Sequence, residues 1–77
     1  MKIKECAVGD TVLVKGYSKN SPAIRKRLSS MGLTRGVMFL IQKVAPLGDP
    51  VKIEVRGFSL SLRKEEADAI NVEVTNG

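Results

Sequence analysis

The sequence predicts a mainly β fold, a small SH3-like barrel of about five antiparallel strands with one short α-helix between strands 1 and 2. Short apolar or alternating segments are separated by residues typical of tight turns, which is the pattern of a small all-β domain. One segment instead has helical spacing, with its own start and stop signals. Closing the strands into a barrel removes exposed edges, and an OB-type barrel is the alternative architecture.

The first strand is predicted at Thr11–Lys15, where a β-branched run lies between Gly9 and Gly16. Residues 3–10 form a lead-in to this strand, and residues 16–20 form the loop that follows it. The chain therefore passes through a short connection from its first strand into its only predicted helix.

The helix is predicted from about Pro22 to Met31, because Ile24, Leu28 and Met31 have the i, i+4, i+7 spacing of one helix face. Ser21 is expected to cap the first turn through its hydroxyl. A proline at the first helical position is tolerated, since no amide donor is lost there. The start of the helix and its apolar face are thus both encoded locally.

Gly32 is predicted to end the helix in the left-handed conformation, which glycine adopts without steric cost. In that arrangement Leu28 and Leu33 are the two positions whose side chains meet in a Schellman motif. The helix and the strand after it are then joined by an apolar contact.

The second strand is predicted at Val37–Val44, and the first half of this run is apolar at every position. Such a run is typical of a strand covered on both faces, here by the barrel and by the helix. Phe39 is therefore expected in the core. The loop Ala45–Pro50 contains two prolines and a glycine, which leave few amide donors and end the strand.

Residues 51–56 show the clearest alternation of apolar and charged side chains and predict the third strand. Arg56–Gly57 is a predicted two-residue hairpin turn. The return strand places Phe58 on the same face as Leu60 and Leu62, so we expect Phe58 in the core. One helical turn is predicted at residues 64–68 and a last strand at residues 70–75, which alternate again.

Composition indicates one domain, residues 1–77, with a core too small to divide. We expect a cytoplasmic protein, because the start carries charge where an export signal is apolar and a lone cysteine, Cys6, suits a reducing compartment. The formal net charge of +5 suits an acidic partner, but a solvated surface is the favoured interpretation of the charge alone.

The residues predict no enzyme, no cofactor and no metal site. The sequence has no histidine, so the commonest general base and the commonest metal ligand are both missing. Cys6 has neither a second cysteine for zinc nor an activating base, and no phosphate-binding glycine motif occurs. Glu65, Glu66 and Asp68 are interpreted as charges of a solvated turn or a helix N-terminus. Binding is the function that remains.

The residues bear on two kinds of macromolecular partner, a nucleic acid and a protein. Nucleic-acid recognition by small barrels uses exposed aromatic side chains, and here Phe39 and Phe58 are expected in the core, which leaves Tyr17 alone. A protein partner suits Leu47 better, since it lies at the tip of a proline-restricted loop and has no place in the strand patterns. The alternative is that the loop is a rigid connector with Leu47 folded back on the barrel. Arginines near such a loop are typical of protein interfaces.

Four segments that occur in order along the chain are Arg27-Leu28-x-x-Met31-Gly32-Leu33-x-x-Gly36, Ala45-Pro-Leu-Gly-Asp-Pro50, Gly57-x-x-x-Ser61-Leu62-Arg63 and Glu66-Ala67. Together they resemble the ferrous iron transport protein A (FeoA) family, and the likeness runs from about Val8 to Val74. The resemblance implies a small cytosolic SH3-like accessory protein of ferrous iron uptake. Its implied partner is FeoB, a membrane transporter with a cytoplasmic GTP-binding domain, so contact with the membrane would be through that partner only.

The resemblance leaves several mechanisms open. In the favoured one the chain is an adaptor, with a docking surface formed by Met31, Gly32, Leu33, Leu47, Gly48, Asp49 and Pro50. In the second it modulates the partner's GTPase by supplying one of three arginines, Arg25, Arg27 or Arg35, to the phosphates. A free-standing nucleic-acid-binding barrel is the alternative from another class, and direct binding of ferrous iron ranks below these. Self-association stays open because of the apolar second strand.

Overall fold

The computed structural model describes residues 1–18 and 22–76. A single 3₁₀ turn, Ile3–Glu5, precedes the first strand. The helices and strands that follow are β1 (Thr11–Tyr17), α1 (Pro22–Ser30), β2 (Met38–Val44), β3 (Val51–Val55), β4 (Phe58–Leu62), α2 (Lys64–Asp68) and β5 (Ile70–Val74). None of the helices in the described residues is long and apolar enough to cross a membrane.

The five strands form one sheet in the order β4-β3-β2-β1-β5, and every neighbouring pair is antiparallel. The helix α1 is inserted between β1 and β2, so the predicted fold class is confirmed. β1 extends two residues beyond its predicted end, because Gly16 and Tyr17 continue to pair with β5 after a register shift. β4 and β5 are the edges of the sheet.

The core is filled by alternate residues of the strands, as the period-2 patterns predict. In β3, Val51, Ile53 and Val55 are buried while the charged residues between them are exposed. Leu28 from α1 and Ile3 from the 3₁₀ turn join this cluster from outside the sheet. One apolar cluster therefore holds the strands, the helix and the amino-terminal segment together.

The predicted helix stop at Gly32 is confirmed in detail. Gly32 has φ +82°, its amide donates to the Ser29 carbonyl at 3.0 Å, and the Leu33 amide donates to the Leu28 carbonyl at 3.0 Å. These are the two hydrogen bonds of a Schellman motif. Leu28 and Leu33 are both 0% exposed, so the apolar contact of the motif lies inside the core. The predicted cap at Ser21 lies outside the described residues.

Tyr17 connects the helix stop to the sheet. Its hydroxyl donates a hydrogen bond of 2.6 Å to the Leu33 carbonyl, and its ring packs on the core. The end of β1 is thereby fixed to the segment that leaves α1, which sets where that segment turns toward β2.

The expectation that β2 is covered on both faces is wrong. Phe39 and Ile41 are buried as inward-facing residues, but on the opposite face Met38 is 56% exposed and Leu40 is only half-buried. α1 contributes Leu28 to the same cluster as Phe39, so the helix does not cover the outer face of β2. This strand is therefore covered on one face, like the others.

The expectation that Phe58 lies in the core is also wrong, because its side chain is 69% exposed. Its register partner Val55 is buried, so Phe58 is on the inward face of the sheet. It occupies the first position of an edge strand, however, where the core ends. Leu62, at the other end of β4, is fully buried as predicted.

Glu66 is not a solvated charge as predicted, since it is 4% exposed. One carboxylate oxygen accepts a 2.8 Å hydrogen bond from the Arg63 amide and so caps the start of α2. The other accepts a 2.9 Å hydrogen bond from Nη1 of Arg27. Glu66 therefore lies at a helix N-terminus, which was one of the two predicted settings. It also forms a partly buried ion pair with Arg27 that joins α1 to α2.

Replacing Gly32 with alanine is expected to lower the free energy of unfolding by about 1–2 kcal/mol, because an L-residue is strained in the left-handed region. Gly32→Asn should lose less, since asparagine tolerates that conformation better. Urea unfolding of both variants measures the difference, with the exposed helix residue Ser29, changed to alanine, as control. Equal stability of Gly32→Ala and the wild type would contradict the proposed helix stop.

Replacing Arg27 with alanine is expected to cost about 1–2 kcal/mol of stability, because the buried Glu66 carboxylate loses a charged donor. Arg27 is itself largely exposed, and solvent screening keeps the loss moderate. Lys26→Ala, on the exposed side of the same helix, should change stability by about 0.5 kcal/mol at most. A double-mutant cycle with Glu66→Gln would show additive effects if the two side chains were not coupled.

Candidate functional site

The loop between β2 and β3 presents Leu47 to solvent. The Gly48 amide donates to the Ala45 carbonyl at 2.8 Å, which closes a tight turn with Pro46 and Leu47 at its centre. The Ala45 amide in turn donates to the Pro50 carbonyl at 3.1 Å and closes the base of the loop. Leu47 is 92% exposed at the tip of this hydrogen-bonded turn.

Asp49 fixes the loop to the second helix. Its carboxylate accepts a 3.1 Å hydrogen bond from the Lys64 amide, which is the first amide of α2. That donor has no partner within its own helix, so the loop supplies the missing acceptor. Leu47 is consequently held in place by bonds at both the base and the side of the loop.

An apolar groove of about 290 Å³ lies beside Leu47. We call it the loop groove, and its lining residues are Ile3, Lys4, Cys6, Val44, Leu47, Gly48, Val51, Lys64, Ala67 and Asp68. Val44 and Leu47 are the exposed apolar side chains of this set. An exposed leucine beside a concave apolar surface is typical of a protein interface anchor.

Cys6 lines the loop groove as a protonated thiol. Burial is the main cause that raises the pKa of the Cys6 thiol, and the nearby carboxylates of Asp10 and Glu5 raise this pKa further. The charged amino terminus lowers the pKa by a smaller amount. Its Sγ donates to the Lys2 carbonyl at 3.5 Å. The described residues contain no group of three or more cysteine or acidic side chains placed to hold a metal ion.

A second groove, of about 250 Å³, lies at the end of α1. We call it the helix-end groove, and its lining residues are Ser30, Met31, Gly32, Val55, Arg56, Phe58 and Leu60. Arg56 and Gly57 form the predicted two-residue turn, with φ +51° and +82°. A Cβ on Gly32 would lie 3.0 Å from Nη1 of Arg56, so the arginine crosses the helix stop at close range.

Four of the seven predicted docking residues line these grooves, two in each, so they do not form one site. Leu47 and Gly48 line the loop groove, whereas Met31 and Gly32 line the helix-end groove. The loop precedes the first residue of β3 and the hairpin turn follows its last, so the grooves lie at opposite ends of that strand. Leu33 is fully buried, and its side chain offers no surface to a partner.

Two of the three predicted arginines make contacts within the chain. Arg27 is paired with Glu66, and Nε of Arg35 donates to the Lys15 carbonyl at 2.9 Å. Arg25 is exposed on α1. These contacts give Arg27 and Arg35 a place in holding the fold.

Sequence reasoning missed Phe58 and Val44 as surface residues, and it did not foresee that Arg56 lies beside the helix stop at Gly32. The usable signal for Phe58 was its position immediately after a two-residue turn, at the end of a strand. Val44 similarly ends β2, just before the proline-rich loop. A residue at a strand end can face inward and still be exposed, because the strand extends past the core. Periodicity predicts which face a side chain is on, but not whether the core reaches it.

Comparison with known proteins gives a consistent result. A family model described as FeoA domain matches residues 1–74. The chain is 32% identical over 74 residues to an Fe(2+) transport protein A/Fe(2+) transporter FeoB fusion protein of Porphyromonas gingivalis, an alignment that covers 96% of this chain and 9% of the fusion protein. The chain thus spans about a tenth of the length of that curated relative.

Solved structures agree with the family model. A FeoA-like protein from Clostridium acetobutylicum superposes with a TM-score of 0.88 at 39% identity, covering 100% of this chain and 88% of the other. FeoA of Stenotrophomonas maltophilia, described as an SH3 domain protein, superposes with a TM-score of 0.80 at 24% identity, covering 95% and 89%. The second likeness supports the SH3-like description of the fold.

Iodoacetamide is expected to alkylate Cys6 at least about tenfold more slowly in the folded chain than in urea at neutral pH, because a raised pKa leaves less thiolate. The rate in the folded chain should keep rising as pH passes the ordinary thiol range. Mass spectrometry of quenched samples measures both rates. Equal rates in the folded and unfolded chain would contradict the placement of Cys6.

Proposed function

The chain belongs to the FeoA domain family, and we propose that it is an accessory protein of ferrous iron uptake that docks on a FeoB-type transporter from the cytoplasmic side. The family is linked to ferrous iron transport. In the Porphyromonas gingivalis relative, a segment similar to this chain belongs to a fusion protein that includes the transporter. Covalent linkage of that kind supports a physical association between the separate proteins.

Leu47 is the observation on which the docking proposal depends. A leucine that is 92% exposed gains most from being covered, and here the loop already holds it in one position. Less conformational entropy is then lost on binding. The rest of the loop groove supplies a further apolar wall through Val44 and Val51.

The charge around the loop groove favours an acidic partner surface. Lys4 and Lys64 line the groove together with Asp68, and the whole chain carries a formal net charge of +5. Complementary charge at the rim of an apolar contact raises the rate of association and selects among partners. An acidic patch around an apolar pocket is therefore the surface we expect on the transporter.

The GTPase-modulating mechanism has weaker support. Arg27 and Arg35 already bond to Glu66 and to a backbone carbonyl, so an arginine supplied in trans would first have to break contacts of its own chain. Nucleic-acid binding also has weaker support, because Tyr17 and Phe39 pack in or on the core and Phe58 stands without a second exposed ring. Docking through Leu47, by contrast, requires no contact within the chain to be broken, because Leu47 is already exposed.

Leu47→Arg is expected to weaken binding to the purified transporter by about thirtyfold, because an interface anchor is replaced by a charge. Its stability should change by about 0.5 kcal/mol at most, since the side chain is exposed. Titration of the labelled chain with detergent-solubilised transporter measures affinity. Val8→Arg is the matched control, because Val8 is an exposed aliphatic residue outside both grooves.

Two outcomes would count against this proposal. Unchanged affinity of Leu47→Arg would remove the loop groove as the contact, although docking elsewhere would remain. Failure of the wild-type chain to bind the transporter, with or without guanine nucleotide, would overturn docking itself. Binding of single-stranded nucleic acid that falls steeply with salt and ignores Leu47 would favour the alternative class of function.

A further inference from the structure

The edge strand β4 has an open side. The sheet order ends at β4, whose single strand neighbour in the described part of the chain is β3. β4 is five residues long and ends within one residue of α2. An edge of this kind is a template to which another extended chain can add by backbone hydrogen bonds.

The register identifies the amides on the open side. Because the turn has two residues, the flanking pair Val55 and Phe58 is a hydrogen-bonded pair, and hydrogen-bonded pairs recur at every second position. Leu60 and Leu62 therefore bond to β3. Ser59 and Ser61 lie between these positions, so their amides and carbonyls point away from β3. Both serines are exposed.

The open side of β4 connects the two grooves. Phe58 and Leu60 line the helix-end groove at the start of the strand, and Lys64, just after its end, lines the loop groove. An added strand would place every second side chain over Phe58 and Leu60. The exposed phenyl ring of Phe58 and the open amides thus belong to one extended contact.

The positively charged residues on both sides of β4 favour an acidic partner segment over a second copy of the chain. The strand β4 has no acidic residue, Arg56 lies in the turn before it, and Arg63 and Lys64 follow it. A second copy paired antiparallel about Leu60 would bring Arg56 of each chain opposite Lys64 of the other, which like charges disfavour. A partner segment with acidic residues at its ends and apolar residues between them meets complementary charge at both ends.

We propose that β4 binds an extended segment of the FeoB-type transporter, acidic at both ends and alternately apolar between them, as an added strand of the sheet. The inference rests on the proposed docking and gives it a defined geometry. The transporter segment contributes main-chain hydrogen bonds to Ser59 and Ser61, and one of its apolar side chains covers Phe58 and Leu60.

The experiment is amide hydrogen exchange of the chain, free and bound to the purified, detergent-solubilised transporter. The amides of Ser59 and Ser61 are expected to exchange about tenfold or more slowly in the complex, because they gain carbonyl acceptors. The amides of Leu60 and Leu62, already bonded to β3, serve as internal references for general stabilisation.

A matched pair of variants tests the same contact by affinity. Ser61→Pro removes one outward amide and is expected to weaken binding by about tenfold, whereas Ser61→Ala keeps the amide and should bind within about twofold of the wild type. The Ser61 amide points away from β3, so the proline costs no bond of the sheet. Thermal melts verify that both variants fold, and the exchange experiment uses the unmodified chain in any case.

Each result has one meaning. Binding that is lost in Leu47→Arg, with no protection of the Ser59 and Ser61 amides, would overturn strand addition and leave docking intact. Absence of binding by the wild-type chain would overturn docking, and strand addition with it. Protection of these amides in the free chain that grows with concentration would identify a second copy as the occupant and overturn the proposed partner.

Discussion

The reversal of the chain at Gly32 is the constraint on which the arrangement of helix and sheet depends. The left-handed glycine lets the Leu33 amide reach back to the Leu28 carbonyl, and both leucine side chains then enter the core. The Tyr17 hydroxyl holds the Leu33 carbonyl against the end of β1. One short segment thus sets the position of α1, the start of β2 and the floor of the helix-end groove.

A second set of polar contacts links α1 to the loop that presents Leu47. Arg27 on α1 bonds to the buried carboxylate of Glu66, which caps α2, and the first amide of α2 bonds to Asp49 in the loop. Leu47 is therefore held through a chain of contacts that begins on the helix. Arg27, which the sequence offered as a candidate for GTPase chemistry, is thus paired with Glu66 and helps to hold α2 and the loop that presents Leu47.

The two grooves lie at opposite ends of the β3–β4 hairpin, and the open side of β4 lies between them. Apolar side chains are exposed at both ends of the β3–β4 hairpin, cationic groups flank β4, and the open amides lie between them. A small domain that exposes a phenylalanine and a leucine reduces its own solubility, and that cost is offset when a partner covers them. The occupant that we propose is the FeoB-type transporter, because a segment similar to this chain is fused to FeoB in the Porphyromonas gingivalis relative.

The sequence by itself determined the strands, the hairpin turn, the helix stop and the order of the elements, because each depends on signals within a few residues, such as the period-2 pattern of β3 or the glycine after Met31. The sequence also showed that Leu47 fits none of the alternating patterns of the neighbouring strands. Tertiary structure alone decided that Phe58 is exposed, that the outer face of β2 is open and that Glu66 is buried. Those outcomes depend on which distant segment covers each position, and the spacing of residues along the chain carries no information about that cover.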